Sequence, residues 1–106
     1  MIFVGALLAA TTGVTRTGEV LGTLDYVAPE RIQGGETGPW TDVYALGCVL
    51  FFALTGHVVF PLDEPERKLW AHLSAPPPST GVTPEVDAVV ARALAKPLER
   101  RYPGAL

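Results

Sequence analysis

Cysteine occurs once in this sequence, at Cys48, and histidine twice, at His57 and His72. A lone cysteine rules out an intramolecular disulfide and a cysteine-based metal cluster, and it suits a reducing compartment. Neither histidine has Cys, Asp or Glu at ligand spacing, so no metal site is expected. Basic residues are also few. Eight Lys and Arg against eleven Asp and Glu leave a net charge of −3, and no basic stripe forms, which argues against nucleic acid as a partner. Long apolar runs are missing too: "MIFVGALLAA" has about ten residues and "VYALGCVLFFAL" about twelve. A bilayer span needs roughly 20. The first run has no preceding Lys or Arg and no clear cleavage site, so a signal peptide is not expected. The expectation is a cytoplasmic segment with no membrane insertion.

What is present is apolar and helical in pattern. With 48% hydrophobic and 18% charged residues over 106 positions, the chain suits one small globular domain. Residues 1–10 are apolar and of unclear role. Residues 11–39 are rich in Thr and Gly and read as a long loop, with one helical turn after Pro29. A loop of this length in a compact domain is usually functional or disordered.

Three helices follow. Thr41 is placed to N-cap a helix from Asp42 to about Leu54, with Gly56 as its stop, within the span 41–55. Apolar residues fall on every side of it, which predicts a helix buried all round. Asp63 and Glu66 resemble a capping box opening a second helix at about 64–74, with Leu69, Trp70 and Leu73 on one face. Thr83 and Pro84 open a third at about 84–96, where Val86, Val89, Val90, Ala93 and Leu94 recur at helical spacing. No stretch alternates as a strand, and no internal repeat is visible. The fold class is mainly α.

Four stretches occur in one order: "GTLDYVAPE", "TDVYALGCVLFFALTG", "HLSAPPPSTGVTPEVDAVVARALAK" and "ERRYP". Together they resemble the C-terminal lobe of a bacterial, eukaryotic-like (Hanks-type) Ser/Thr protein kinase. The resemblance runs from about residue 11 to 106. Ala-Pro-Glu alone would be weak, but it belongs to a larger signature set. The resemblance implies an activation segment at 11–35 and a partial kinase domain over 11–106.

It also implies roles for particular residues. Gly22 and Thr23 would line the pocket for the residue after the phosphoacceptor, and Gly22-Thr23-x-x-Tyr26 favours Ser/Thr specificity. Thr15 and Thr17 fall where relatives carry autophosphorylated threonines. Tyr26, Ala28, Pro29, Glu30, Asp42, Gly47 and Arg101 would be structural anchors. Glu30 of Ala-Pro-Glu would pair with an Arg near the end of the lobe. "KPLERRYP" departs from the family pattern, since Leu98 stands in place of a Pro. Without a gap the partner is Arg101, and Arg100 stays open. Asp42 would bond the backbone of a catalytic loop, a segment with no match here. The Trp70 helix corresponds to the family's partner-docking helix, although core packing accounts for Leu69 and Leu73 equally well.

The phosphate-handling groups of the family have no match. A kinase positions ATP and Mg²⁺ with a Gly-rich loop, a strand Lys, a His-Arg-Asp loop and Asp-Phe-Gly. "IFVG" lies near the expected place of the last of these but has no Asp. The expectation is therefore a kinase-family segment that, as this chain, binds neither ATP nor Mg²⁺ and is inactive. The alternative is a non-catalytic interaction module, a decoy or scaffold that binds protein substrates or an intact kinase.

Overall fold

The computed structural model describes residues 24–103, and the description below is confined to them. Four α-helices and one 3₁₀ turn make up the regular structure, with no strand among the described residues. Helix α1 is a single turn, Pro29–Ile32, opened by Pro29 at its first position, where the missing N–H costs nothing. Helix α2 is Pro39–Thr55, α3 is Pro65–Ser74, α4 is Pro84–Ala93, and Leu98–Arg100 form the 3₁₀ turn.

Each of these four α-helices starts at a proline, and this moves one expected boundary. Helix α2 begins at Pro39 rather than Asp42, with Gly38 as N-cap. Thr41 still works as a cap, but from inside the first turn. Its Oγ1 accepts the Gly38 N–H at 3.1 Å. At the other end Gly56 takes φ 76°, and its N–H returns to the Phe52 carbonyl. Such a left-handed cap favours glycine. Thr83 caps α4 as its sequence implied, accepting the Val86 N–H at 3.1 Å. That helix ends at Ala93, short of residue 96, because Pro97 disfavours helical geometry just before it.

The core lies between α2, α3 and α4, and it joins Ala28, Tyr44, Cys48, Phe51, Val59, Phe60, Ala71, Val90 and Leu94. Helix α2 packs on α4 and on the 3₁₀ turn, while α1 packs on α3. At the α2–α4 crossing Gly47 removes the obstacle of a side chain. A Cβ there would lie 2.9 Å from the Ala93 Cβ and 3.0 Å from Leu94 Cδ2.

One expectation of burial needs correction. Helix α2 is not enclosed all round: Leu50, Phe52 and Leu54 are 39%, 45% and 40% exposed. Among the described residues, its packing partners sit on one side and leave these apolar residues uncovered. On α3, Leu69 and Leu73 are half-buried, and neither belongs to the fully buried core. The helix's inward face is Lys68, Ala71 and His72, and Trp70 is 68% exposed. Polar side chains go inside here because each meets a polar partner, described below. The Asp63–Glu66 capping box is also absent, since Glu64 is the N-cap and makes no side-chain bond. Pro65 sets the first turn instead.

Replacing Gly47 with Ala tests the close approach. The new methyl must push back the Ala93 Cβ, which is fixed to its own backbone. Overpacking of this kind costs about 1–3 kcal/mol, against a helix-propensity gain of about 1 kcal/mol. A lower urea midpoint with an unchanged m-value is the expected result; an unchanged or higher midpoint would show the crossing to be loose.

Candidate functional site

Glu30 stands at the second position of α1 and is 6% exposed. A carboxylate this deep must be met by cations or donors. Its Oε2 accepts from Arg101 Nη1 at 2.7 Å and from Thr41 Oγ1 at 2.8 Å, and its Oε1 accepts from Arg101 Nη2 at 2.9 Å. The two partners are 71 residues apart in the chain. This is the bidentate geometry that a guanidinium forms and an ammonium cannot.

Arg101 is saturated. Nε donates to the Ala95 carbonyl at 2.6 Å, Nη1 also to that of Trp40 at 3.1 Å, and Nη2 also to that of Lys96 at 3.1 Å. All five N–H groups of the guanidinium are thereby used. Its plane also lies 4.9 Å from the centre of the Tyr44 ring. One side chain thus ties together α1, the start of α2 and the segment after α4. Arg100, next to it, is exposed and takes no part.

Burial alone would raise the Glu30 carboxyl, but hydrogen bonds from Arg101, its own backbone and Thr41 outweigh it and hold the group below its ordinary 4.5. A depressed carboxylate contributes stability above its unfolded value and loses it as pH falls through the folded one. Acid below about pH 4.5 therefore works against this clamp.

A second polar group lies under α3. Lys68, 4% exposed, forms an ion pair with Asp25, 43 residues away in the chain. His72 is fully buried, with Nδ1 2.7 Å from the Tyr44 hydroxyl and its ring edge-on to Tyr44 and Phe60. Lys96 reaches in from beyond α4, with Nζ 3.4 Å from the same hydroxyl and 3.3 Å from the Ala71 carbonyl. Burial pushes Lys96 down to about 8. Pattern reading missed Asp25, Lys68 and Lys96, because hydropathy places such residues at the surface and nothing in the spacing pairs them.

The remaining expected residues are placed as follows. Tyr26 packs against the core, Ala28 precedes α1 and is buried, Pro29 opens α1, and Asp42 is half-buried in the first turn of α2. Gly47 faces α4. Thr15, Thr17, Gly22 and Thr23 lie outside the described residues. Asp25, two positions after Thr23, is the residue that Lys68 holds. Cys48 is buried, and burial pushes its thiol far up, as for an unreactive core cysteine. Among the described residues no three His, Cys, Asp or Glu gather in one place.

Comparison with known proteins decides the family, since the protein kinase domain model matches residues 7–101. The chain belongs to the protein kinase domain family. The match starts at residue 7, inside the apolar first segment. Curated relatives agree. Serine/threonine-protein kinase PknB of Mycobacterium leprae is 42% identical over 100 residues, and PknB of Mycolicibacterium smegmatis 43% identical over 102. Serine/threonine-protein kinase PknD of Mycobacterium tuberculosis is 42% identical over 102 residues. These matches cover 90% or 92% of this chain but only 15% or 16% of each relative. Among the described residues, no helix is long and apolar enough to cross a membrane.

Replacing Arg101 with Met leaves Glu30 charged and buried without its cation. Breaking a buried pair in this way costs about 3–5 kcal/mol, a large part of the whole stability of a domain. Arg101→Met should therefore populate the unfolded state by circular dichroism at 25 °C. Arg100→Met should shift stability by no more than about 0.5 kcal/mol.

Proposed function

We propose that these residues form the substrate-facing part of a serine/threonine protein kinase C-lobe, whose family reaction is ATP-dependent phosphorylation of protein Ser or Thr. The Glu30–Arg101 clamp carries this reading. It fixes Ala28-Pro29-Glu30, and so the chain entering it, against the body of α2. Gly22 and Thr23 lie just upstream of Asp25, which Lys68 holds from α3. By the family resemblance Gly22 and Thr23 would receive the residue after the phosphoacceptor. Thr15 and Thr17 are the candidate regulatory phosphoacceptors, since added charge at such a loop can order it through arginine pairing.

The 106 residues alone neither bind ATP nor transfer phosphate on this reading. Phosphoryl transfer depends almost entirely on positioned phosphates and metal ions, worth on the order of 8–23 kcal/mol. None of the family's groups for that task has a match in the chain. A second reading, as a non-catalytic docking module for a protein partner, is favoured by one observation. Trp70 stands 68% exposed on α3, the helix that also holds Asp25.

A chimera separates the parts. Residues 11–103 replace the matching stretch in the kinase of Mycolicibacterium smegmatis to which they are similar. The chimera is expected to bind MgATP and to phosphorylate Ser/Thr peptides, with Thr23→Ala lowering kcat/KM by at least about tenfold. A chimera that binds MgATP but transfers no phosphate would overturn the substrate-side assignment. For the 106-residue chain alone, calorimetric titration with MgATP should give no saturable heat, and saturable binding would contradict the second claim.

A further inference from the structure

His72 has no part in the clamp, yet it is the most enclosed ionisable group under α3. Its surroundings suit a neutral ring. Lys96 Nζ donates to the Tyr44 oxygen, which leaves the Tyr44 hydroxyl proton to point at His72 Nδ1. The ring proton then sits on Nε2, which is buried beside the Leu24 backbone without a well-formed hydrogen bond.

A second proton has to go on Nδ1, where the tyrosine proton already points. Tyr44 would then face imidazolium on one side and the Lys96 ammonium on the other. The other charged groups around the ring do not answer the charge. Lys68, on the same helix, adds a further cation, and Asp25 is engaged by Lys68. From α1, Glu30 is turned to Arg101, and Arg31 is exposed. From α2, Cys48 is a neutral thiol, and Arg101 lies against the Tyr44 ring as a cation.

We propose that His72 is an acid-operated latch on α3. Uptake of one proton by its ring unseats α3 from α2, and with it the Leu24–Ala28 segment, while the Glu30–Arg101 clamp still holds. The polar contacts that α3 would give up meet at this point, His72 to Tyr44, the Ala71 carbonyl to Lys96, and Lys68 to Asp25, and its packing on α1 would loosen with them. Opening of α3 lets the imidazolium reach water and frees the chain just after Thr23. Control of the substrate-facing segment by this latch rests on the kinase reading. The latch itself does not, and it can be read without a substrate.

Burial, then Lys96 and Lys68, lower His72 from 6.5 to about 4. A base so depressed takes up its proton mainly in the open state between these values, so closure weakens as pH falls from 6.5 towards 4. The test is amide hydrogen exchange of the full 106-residue chain from pH 7.5 to 5, corrected for the intrinsic rate. The opening constant for residues 65–74 should rise by about tenfold per pH unit below 6.5. Residues 39–55 should stay protected over the same range. His72→Gln should remove the pH dependence in α3.

A pH-independent opening constant for α3 would overturn the latch, as would loss of protection in α2 and α4 at the same pH. If His72→Gln does not fold, the His72 ring proton resonance of the unaltered chain replaces it. Titration of that resonance in step with α3 opening supports the latch. Titration in a still-protected α3 overturns it.

Discussion

A carboxylate that is 6% exposed and a guanidinium that is 3% exposed, 71 residues apart in sequence, set the conditions for the rest of this fold. Each would be costly to bury alone. Together they satisfy each other and gather in the Trp40, Ala95 and Lys96 carbonyls and the Thr41 hydroxyl. The start of α2 and the end of α4 have to arrive at the same place for those bonds to close. That requirement explains why Thr41 sits inside the first turn of α2, where it can serve Gly38 and Glu30 at once. It also explains why α4 gives way to an irregular segment whose carbonyls turn inward to Arg101.

Around this clamp the packing is graded. Close contact between α2 and α4 relies on Gly47, and the core from Tyr44 to Leu94 is continuous. On the far flank of α2, Leu50, Phe52 and Leu54 keep two fifths or so of their surface exposed. Under α3 the core also takes in polar side chains, Lys68 and His72, held by ion and hydrogen-bond pairs that depend on protonation. The clamp weakens only as pH falls below about 4.5, whereas the α3 cluster begins to weaken below about 6.5, the ordinary values of a carboxylate and an imidazole.

Much of this was legible in the sequence, and the reason is physical. The apolar run from Val43 to Leu54 has one helical reading, Thr83-Pro84 is a helix start by chemistry, and Ala-Pro-Glu with a late Arg is a long-range pair known through family resemblance. The orientation of helix α3 was not legible in its sequence. Leu69, Trp70 and Leu73 form the greasier face, and hydropathy alone turns that face inward. What decides the orientation is that Lys68 and His72 find Asp25 and Tyr44, partners 43 and 28 positions away. No local pattern encodes such pairs. The early start of α2 was missed for a simpler reason: Pro39 outweighs a well-placed threonine, since its ring presets the first helical φ.

The central claim is that Arg101, and not its neighbour, is locked in place with every donor engaged. Arginine side-chain N–H exchange in the 106-residue chain, resolved by NMR, measures this directly and without a substitution. If the clamp is as described, the Arg101 Nε–H exchanges at least about 100-fold more slowly than that of Arg100, because exchange requires the clamp to open. Equal exchange at the two arginines would contradict the account.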